Sequence, residues 1–155
     1  MRAIQQAQAA RSGHSACVDD QPWIALGVDL RLTTTDEGGR SKPLGIGPYD
    51  RYQYRPDWHL PELPDKKLTG APVLCFGNFP LALGDSTRAV IVPLYEGSLR
   101  LWHRVRPGHI LKMHEGPRVC GIASVAWLAK TQHRIPENDE TAFRVWTHGG
   151  PAPSQ

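Results

Sequence analysis

The sequence predicts an all-β fold, a small antiparallel barrel or sandwich, and three observations carry that prediction. Fifteen Gly and fourteen Pro are spread along 155 residues without forming a repeat. Punctuation that frequent suits many short strands joined by turns better than a few long helices. Between Ile24 and Thr34, aliphatic and polar residues alternate with period two, and Arg118 to Leu128 is apolar on both faces, as in a strand at the centre of a sheet.

The elements follow in order. Residues 1–22 read as a flexible N-terminal segment, mostly Gln, Ala and Ser, closed by Pro22. The alternation then places Leu26, Val28, Leu30 and Leu32 on one face and Gly27, Asp29, Arg31 and Thr33 on the other. That strand runs into the turn Asp36-Glu37-Gly38-Gly39-Arg40. A Gly-, Pro- and Tyr-rich loop follows Pro43, and Pro61 to Gly70 reads as a surface excursion. Ala71–Phe76 and Thr87–Leu94 are short apolar strands, the second with Pro93 near its end, where an edge or bulge is needed because Pro cannot donate to a ladder. Arg100–Arg106 alternates again and reads as a strand, followed by His109–His114 and, after the Glu115-Gly116-Pro117 turn, by the long Arg118–Leu128 strand. On strict alternation Val119, Gly121, Ala123, Val125 and Trp127 share one face. The domain so defined spans 23–130, and 131–155 is an extension in which Ala142–Trp146 suggests one last strand before a tail.

Composition bounds the function. A formal charge of +3, from 18 Lys and Arg against 15 Asp and Glu, does not by itself imply a nucleic-acid partner. Cys17, Cys75 and Cys120 contain no CxxC pair, which points to free thiols and a reducing compartment. No apolar run reaches the roughly 20 residues needed to span a bilayer, and the first twenty residues lack the apolar centre of a secretory signal, so a cytoplasmic protein without membrane contact is expected.

Four fragments carry a family likeness. They are Val28–Pro43 (VDLRLTTTDEGGRSKP), Tyr54-Arg55-Pro56 with Trp58, Gly84-Asp85, and Ile110–Val125 with its Glu115-Gly116-Pro117-Arg118-Val119-Cys120-Gly121 turn. In this order and spacing they resemble the C-terminal (third) β-barrel domain of bacterial elongation factor Tu, over roughly residues 24–129. The resemblance implies a six-stranded antiparallel β-barrel. Leu83 stands where that domain has Pro, and Pro117 replaces a Gly in the closing hairpin, which must therefore turn differently if that Gly has positive φ. No GxxxxGK[ST] phosphate loop occurs, so no GTP binding is expected.

Sites for chemistry are not indicated. His103, His109 and His114 carry no HExxH, Ser86 and Ser124 lie outside any GxSxG, and Cys75 and Cys120 have no neighbouring His. No catalytic, cofactor-binding or metal residues are expected. The residues that stand out are Arg40, Arg55 and Arg118 at turns or strand ends, with Trp58 as a stacking neighbour. They either contact a partner or pair with nearby acids such as Glu37 and Glu115 to pin a barrel rim. The expected function is a non-catalytic binding module engaging a protein partner, for instance as a decoy or immunity-type protein. The alternative is an RNA-binding accessory protein that uses the Arg-bearing rim, as the factor's transfer-RNA contact implies.

Overall fold

The computed structural model describes residues 21–45, 52–64 and 66–154. Apart from Gln21 and Pro22, the N-terminal segment 1–22 lies outside the described residues, as do Cys17 and positions 46–51 of the Gly-Pro-Tyr loop. The strands are β1 (Trp23–Leu32), β2 (Asp57–His59), β3 (Thr69–Gly70), β4 (Val73–Phe76), β5 (Ser86–Ile91), β6 (Ile110–Glu115) and β7 (Arg118–Thr131). They form a seven-stranded sheet in the order β3-β2-β6-β7-β1-β5-β4, with every pairing antiparallel. The all-β expectation holds, and the apolar β7 stands at the middle of the order.

The sheet curls on itself. The Tyr52 N–H donates to the Val73 carbonyl (3.1 Å), the Val73 N–H to the Tyr54 carbonyl (3.0 Å) and the Ala71 N–H to the Pro56 carbonyl (3.3 Å). These bonds prolong the β2–β3 ladder toward β4, which stands at the opposite end of the strand order. The concave side holds the larger core, with Leu26, Val28, Leu30 and Leu32 of β1 buried as the alternation required.

Alternation fails along β7, and the ladder explains why. Val28 pairs with Val125 and Gly27 with Trp127, so Ala126 is left over as a bulge. A second irregularity falls where Met113 pairs with Gly121 and His114 with Val119, leaving Cys120 over. Each extra residue reverses which face the following side chains take. Cys120, Ala123 and Val125 accordingly point into the larger core, whereas Trp127 and Ala129 belong to a second cluster on the convex side. Trp127 does not share a face with Val125, as strict alternation had it. Gly27 makes the reversal possible, since a Cβ there would lie 2.1 Å from the Trp127 ring.

Two segments expected to be strands are helical. Where the 100–106 strand was expected to begin, a 3-10 turn at Glu96–Ser98 has led into α1 (Leu99–Trp102), and 103–106 continue as turn and loop. Leu99, Trp102 and Val105 repeat every three residues and all enter the larger core, a spacing that period two masked. Likewise Ala142–Trp146 lies within α2 (Glu140–Thr147), which is amphipathic and buries Phe143 and Trp146. Its start and stop signals were present: Pro136, Glu137 and Asp139 precede it, Glu140 opens its first turn, and Gly149-Gly150 follows. The Gly150 N–H donates to the Val145 carbonyl (2.9 Å) and the Gly149 N–H to the Trp146 carbonyl (3.0 Å), with Gly149 at φ +98°. This is a Schellman C-cap.

Helix α2 covers the convex face of the sheet. Trp127 stacks on Phe143 at 5.4 Å and meets Trp146 edge-on at 5.3 Å. The guanidinium of Arg88, on β5, lies 4.8 Å from the Trp146 ring centroid and donates to the carbonyls of Trp146 (2.9 Å) and Gly150 (3.3 Å). A cation at a helix C-terminus also complements the dipole. Phe143→Ala is expected to cost about 3–5 kcal/mol by leaving a cavity under the helix, and Arg88→Met about 1–2 kcal/mol through its lost bonds to carbonyls. Urea unfolding midpoints measure both.

Candidate partner-binding surface

The turn after β1 fixes the partners of its charges. Gly38 takes φ +86°, and the Gly39 N–H donates to the Thr34 carbonyl (2.9 Å). The turn brings Glu37 back over Arg31, whose guanidinium makes a two-pronged contact of 2.9 and 3.0 Å, while the Thr34 N–H donates to the same carboxylate at 3.0 Å. The hydrogen bond from Arg31, then that from Thr34, lowers the Glu37 carboxyl to about 2. Glu37 is thereby committed to Arg31, and Arg40 turns instead to Glu115.

Arg40 and Glu115 form a half-buried ion pair across the rim, and the Tyr54 hydroxyl donates to the same carboxylate at 2.5 Å. Arg40 also donates through Nε to the Lys42 carbonyl (3.1 Å). Burial works against its charge, but the Glu115 carboxylate outweighs burial, and its net pKa rises. Burial, reinforced by the bond to Glu115, pushes the Tyr54 hydroxyl far above its ordinary value. Burial also raises the Cys120 thiol, which disfavours the thiolate that nucleophilic chemistry needs. The Glu115 hairpin turns differently from one with two glycines: Glu115 pairs with Arg118, and Gly116 alone takes positive φ (+61°) before Pro117. A Gly in that first central position fits a II′ turn, which tolerates Pro next.

The four residues singled out in the sequence have separate fates. Trp58 is fully buried, with its indole N–H donating to the Ala71 carbonyl (2.9 Å). It is a core residue, so its expected stacking role at the surface is corrected: the Trp faces inward on β2 while Asp57 faces out. Arg40 is held in the ion pair with Glu115. Arg118 is exposed beside that pair, on the hairpin. Arg55 is also exposed and donates through Nε to the Tyr52 carbonyl (3.0 Å).

Arg55 leads to residues the sequence had not singled out. It lines an open groove of about 420 Å³ together with Pro56, Pro72, Leu94, Tyr95 and Arg134. The Tyr95 side chain is 71% exposed, the most of any large apolar residue among those described. Its position in the turn between Pro93 and Gly97 was the available signal, since an aromatic in a turn has little to pack against. Arg134 comes from the extension after β7, remote in sequence from Arg55, so only the fold brings the two together.

The histidines are used singly. The His103 ring nitrogen lies 2.6 Å from the Pro22 carbonyl, and His109 Nδ1 accepts the Arg106 N–H at 3.0 Å. His114 faces Asp57 across the β2–β6 ladder, with burial lowering its pKa. Among the described residues, no three His, Cys, Asp or Glu side chains are placed to hold a metal ion, and no helix is long and apolar enough to cross a membrane. No protein-family model matches the chain, and no curated protein matches it.

The two ion pairs should behave differently. A double-mutant cycle of Arg40→Met and Glu115→Gln is expected to give a coupling of about 1–2 kcal/mol, because the pair is partly shielded from water. In a pH titration followed by carboxyl-carbon NMR, Glu37 should show a midpoint near 2, shifting toward 4.5 in Arg31→Met. Because its folded pKa is depressed, the stabilisation from Glu37 is present above the ordinary carboxyl pKa and fades as pH falls toward 2. A wild-type midpoint near the ordinary value would show that the contact does not persist in solution.

Proposed function

We propose that the chain is a non-catalytic binding module, similar in architecture to the third domain of elongation factor Tu, that engages a protein partner. The observation that carries this reading is the groove that Arg55 and Arg134 line together with the exposed Tyr95. Arg and Tyr are enriched among residues that dominate binding energy, and prolines supply rigid walls that lose little entropy on association. The polar side chains of Arg40, Tyr54 and Glu115 bond to one another across the rim, as a structural fastening does.

A six-stranded barrel is part of the proposal. It follows from counting residues 52–59 as one strand and 69–76 as another, with the bonds at Tyr52, Ala71 and Val73 taken as the closing ladder. In the decoy or immunity-type form of the reading, the partner is a protein that otherwise docks on a translation factor.

The test is affinity capture on the immobilised chain, with bound protein and bound RNA measured separately. A specific protein should be retained by the wild type and reduced at least about fivefold by Arg55→Ala or Tyr95→Ala, in keeping with loss of an anchoring side chain. Arg118→Ala, away from the groove, should leave retention unchanged. If RNA is retained in place of protein, with affinity falling steeply as salt rises, the RNA-binding alternative replaces this reading.

A further inference from the structure

The groove at Arg55 is one end of a longer surface. Arg134 also lines a neighbouring cavity of about 910 Å³, with Lys130, His133, Glu137 and Asp139. Lys130 in turn lines a third cavity of about 510 Å³, whose apolar lining includes Ile24, Val105 and Leu128 and whose basic members are His103 and Arg106. The three hollows therefore adjoin in series, the first two meeting at Arg134 and the last two at Lys130. Among the described residues, neither Lys130 nor Arg134 is in an ion pair.

We infer that these adjoining hollows together take an extended acidic segment of a partner protein, with carboxylates at Arg55, Arg134 and Lys130 and apolar side chains in the end hollow lined by Ile24, Val105 and Leu128. The inference rests on the protein-binding reading above and names the chemistry of the partner. Charge complementarity selects an anion, because both end hollows contain basic side chains and no carboxylate. The middle hollow selects the kind of anion. Glu137 and Asp139 line it, and a nucleic acid, charged at every phosphate, must place some of that charge against them. A polypeptide can put a neutral or basic residue there and resume its carboxylates on either side. The apolar lining at Ile24, Val105 and Leu128 offers burial to aliphatic side chains, which a phosphate backbone lacks.

Three fluorescein-labelled probes test this on the full chain by anisotropy: a twelve-residue peptide alternating Glu with Leu and Val, the same peptide with every Glu replaced by Gln, and a twelve-nucleotide oligouridine. The acidic peptide should bind at least tenfold more tightly than the Gln peptide and the oligouridine. Lys130→Ala combined with Arg134→Ala should remove that preference, whereas Lys130→Arg should keep it, and circular dichroism should show both variants folded. Equal binding of the acidic and Gln peptides, tighter binding of oligouridine, or no peptide binding overturns the inference. If capture of a protein through Arg55 succeeds while the acidic peptide fails, only the assigned chemistry falls. If both fail, the protein-binding reading falls with it.

Discussion

Everything in this fold depends on how β1 and β7 pair. Both strands are central, and β1 is bonded to β7 on one side and β5 on the other. Were the ladder regular, Trp127 would follow Val125 into the concave core. The single extra residue at Ala126 sends Trp127 to the convex face, where Gly27 offers a backbone without a Cβ for the indole to lie against. That placement creates the second apolar cluster, which in turn gives Phe143 and Trp146 somewhere to go. One inserted residue thus decides that the C-terminal extension is part of the domain. The energy comes from aromatic burial; the bulge supplies its direction.

This is also where the sequence was legible and where it was not. The alternation from Leu26 to Leu32 described the core face of β1 correctly, because no bulge interrupts it after Val28 and one flank stays in water at Asp29. The same rule misled for Trp127, since a bulge leaves no mark in composition. Leu99, Trp102 and Val105 satisfied a three-residue spacing inside a segment that also alternated; choosing between the two requires knowing what lies above the segment. For α2 the opposite held. Pro136, the acids before it and the paired glycines after it were all visible, but the aromatic and β-branched content of AFRVW outweighed them.

The candidate surface divides along similar lines. Pairing of Arg40 with Glu115 was one of the alternatives open from the sequence, and it follows from Glu37 being occupied by Arg31. Trp58 looked like a surface aromatic because it sits among charged and proline residues, yet β2 alternates and directs it inward. Arg134 could not be associated with Arg55 from spacing at all, since 78 intervening positions separate 55 from 134. Such long-range juxtaposition is set by the order of strands, and strand order is a property of the whole sheet.

The grip of Arg88 on the end of α2 has a further consequence for motion. One guanidinium joins the middle of β5 to one carbonyl in the last turn of α2 and another just past it, and the Thr147 carbonyl sits where a Cβ on residue 77 would collide with it, 2.0 Å away. The helix is therefore keyed to backbone on the β4–β5 edge, not merely greased onto an apolar face. An element attached that way cannot slide or tilt to admit something beneath it; it is either seated or gone. Helix and inner strands should accordingly share a single opening event, and their amides should exchange with solvent as one cooperative unit.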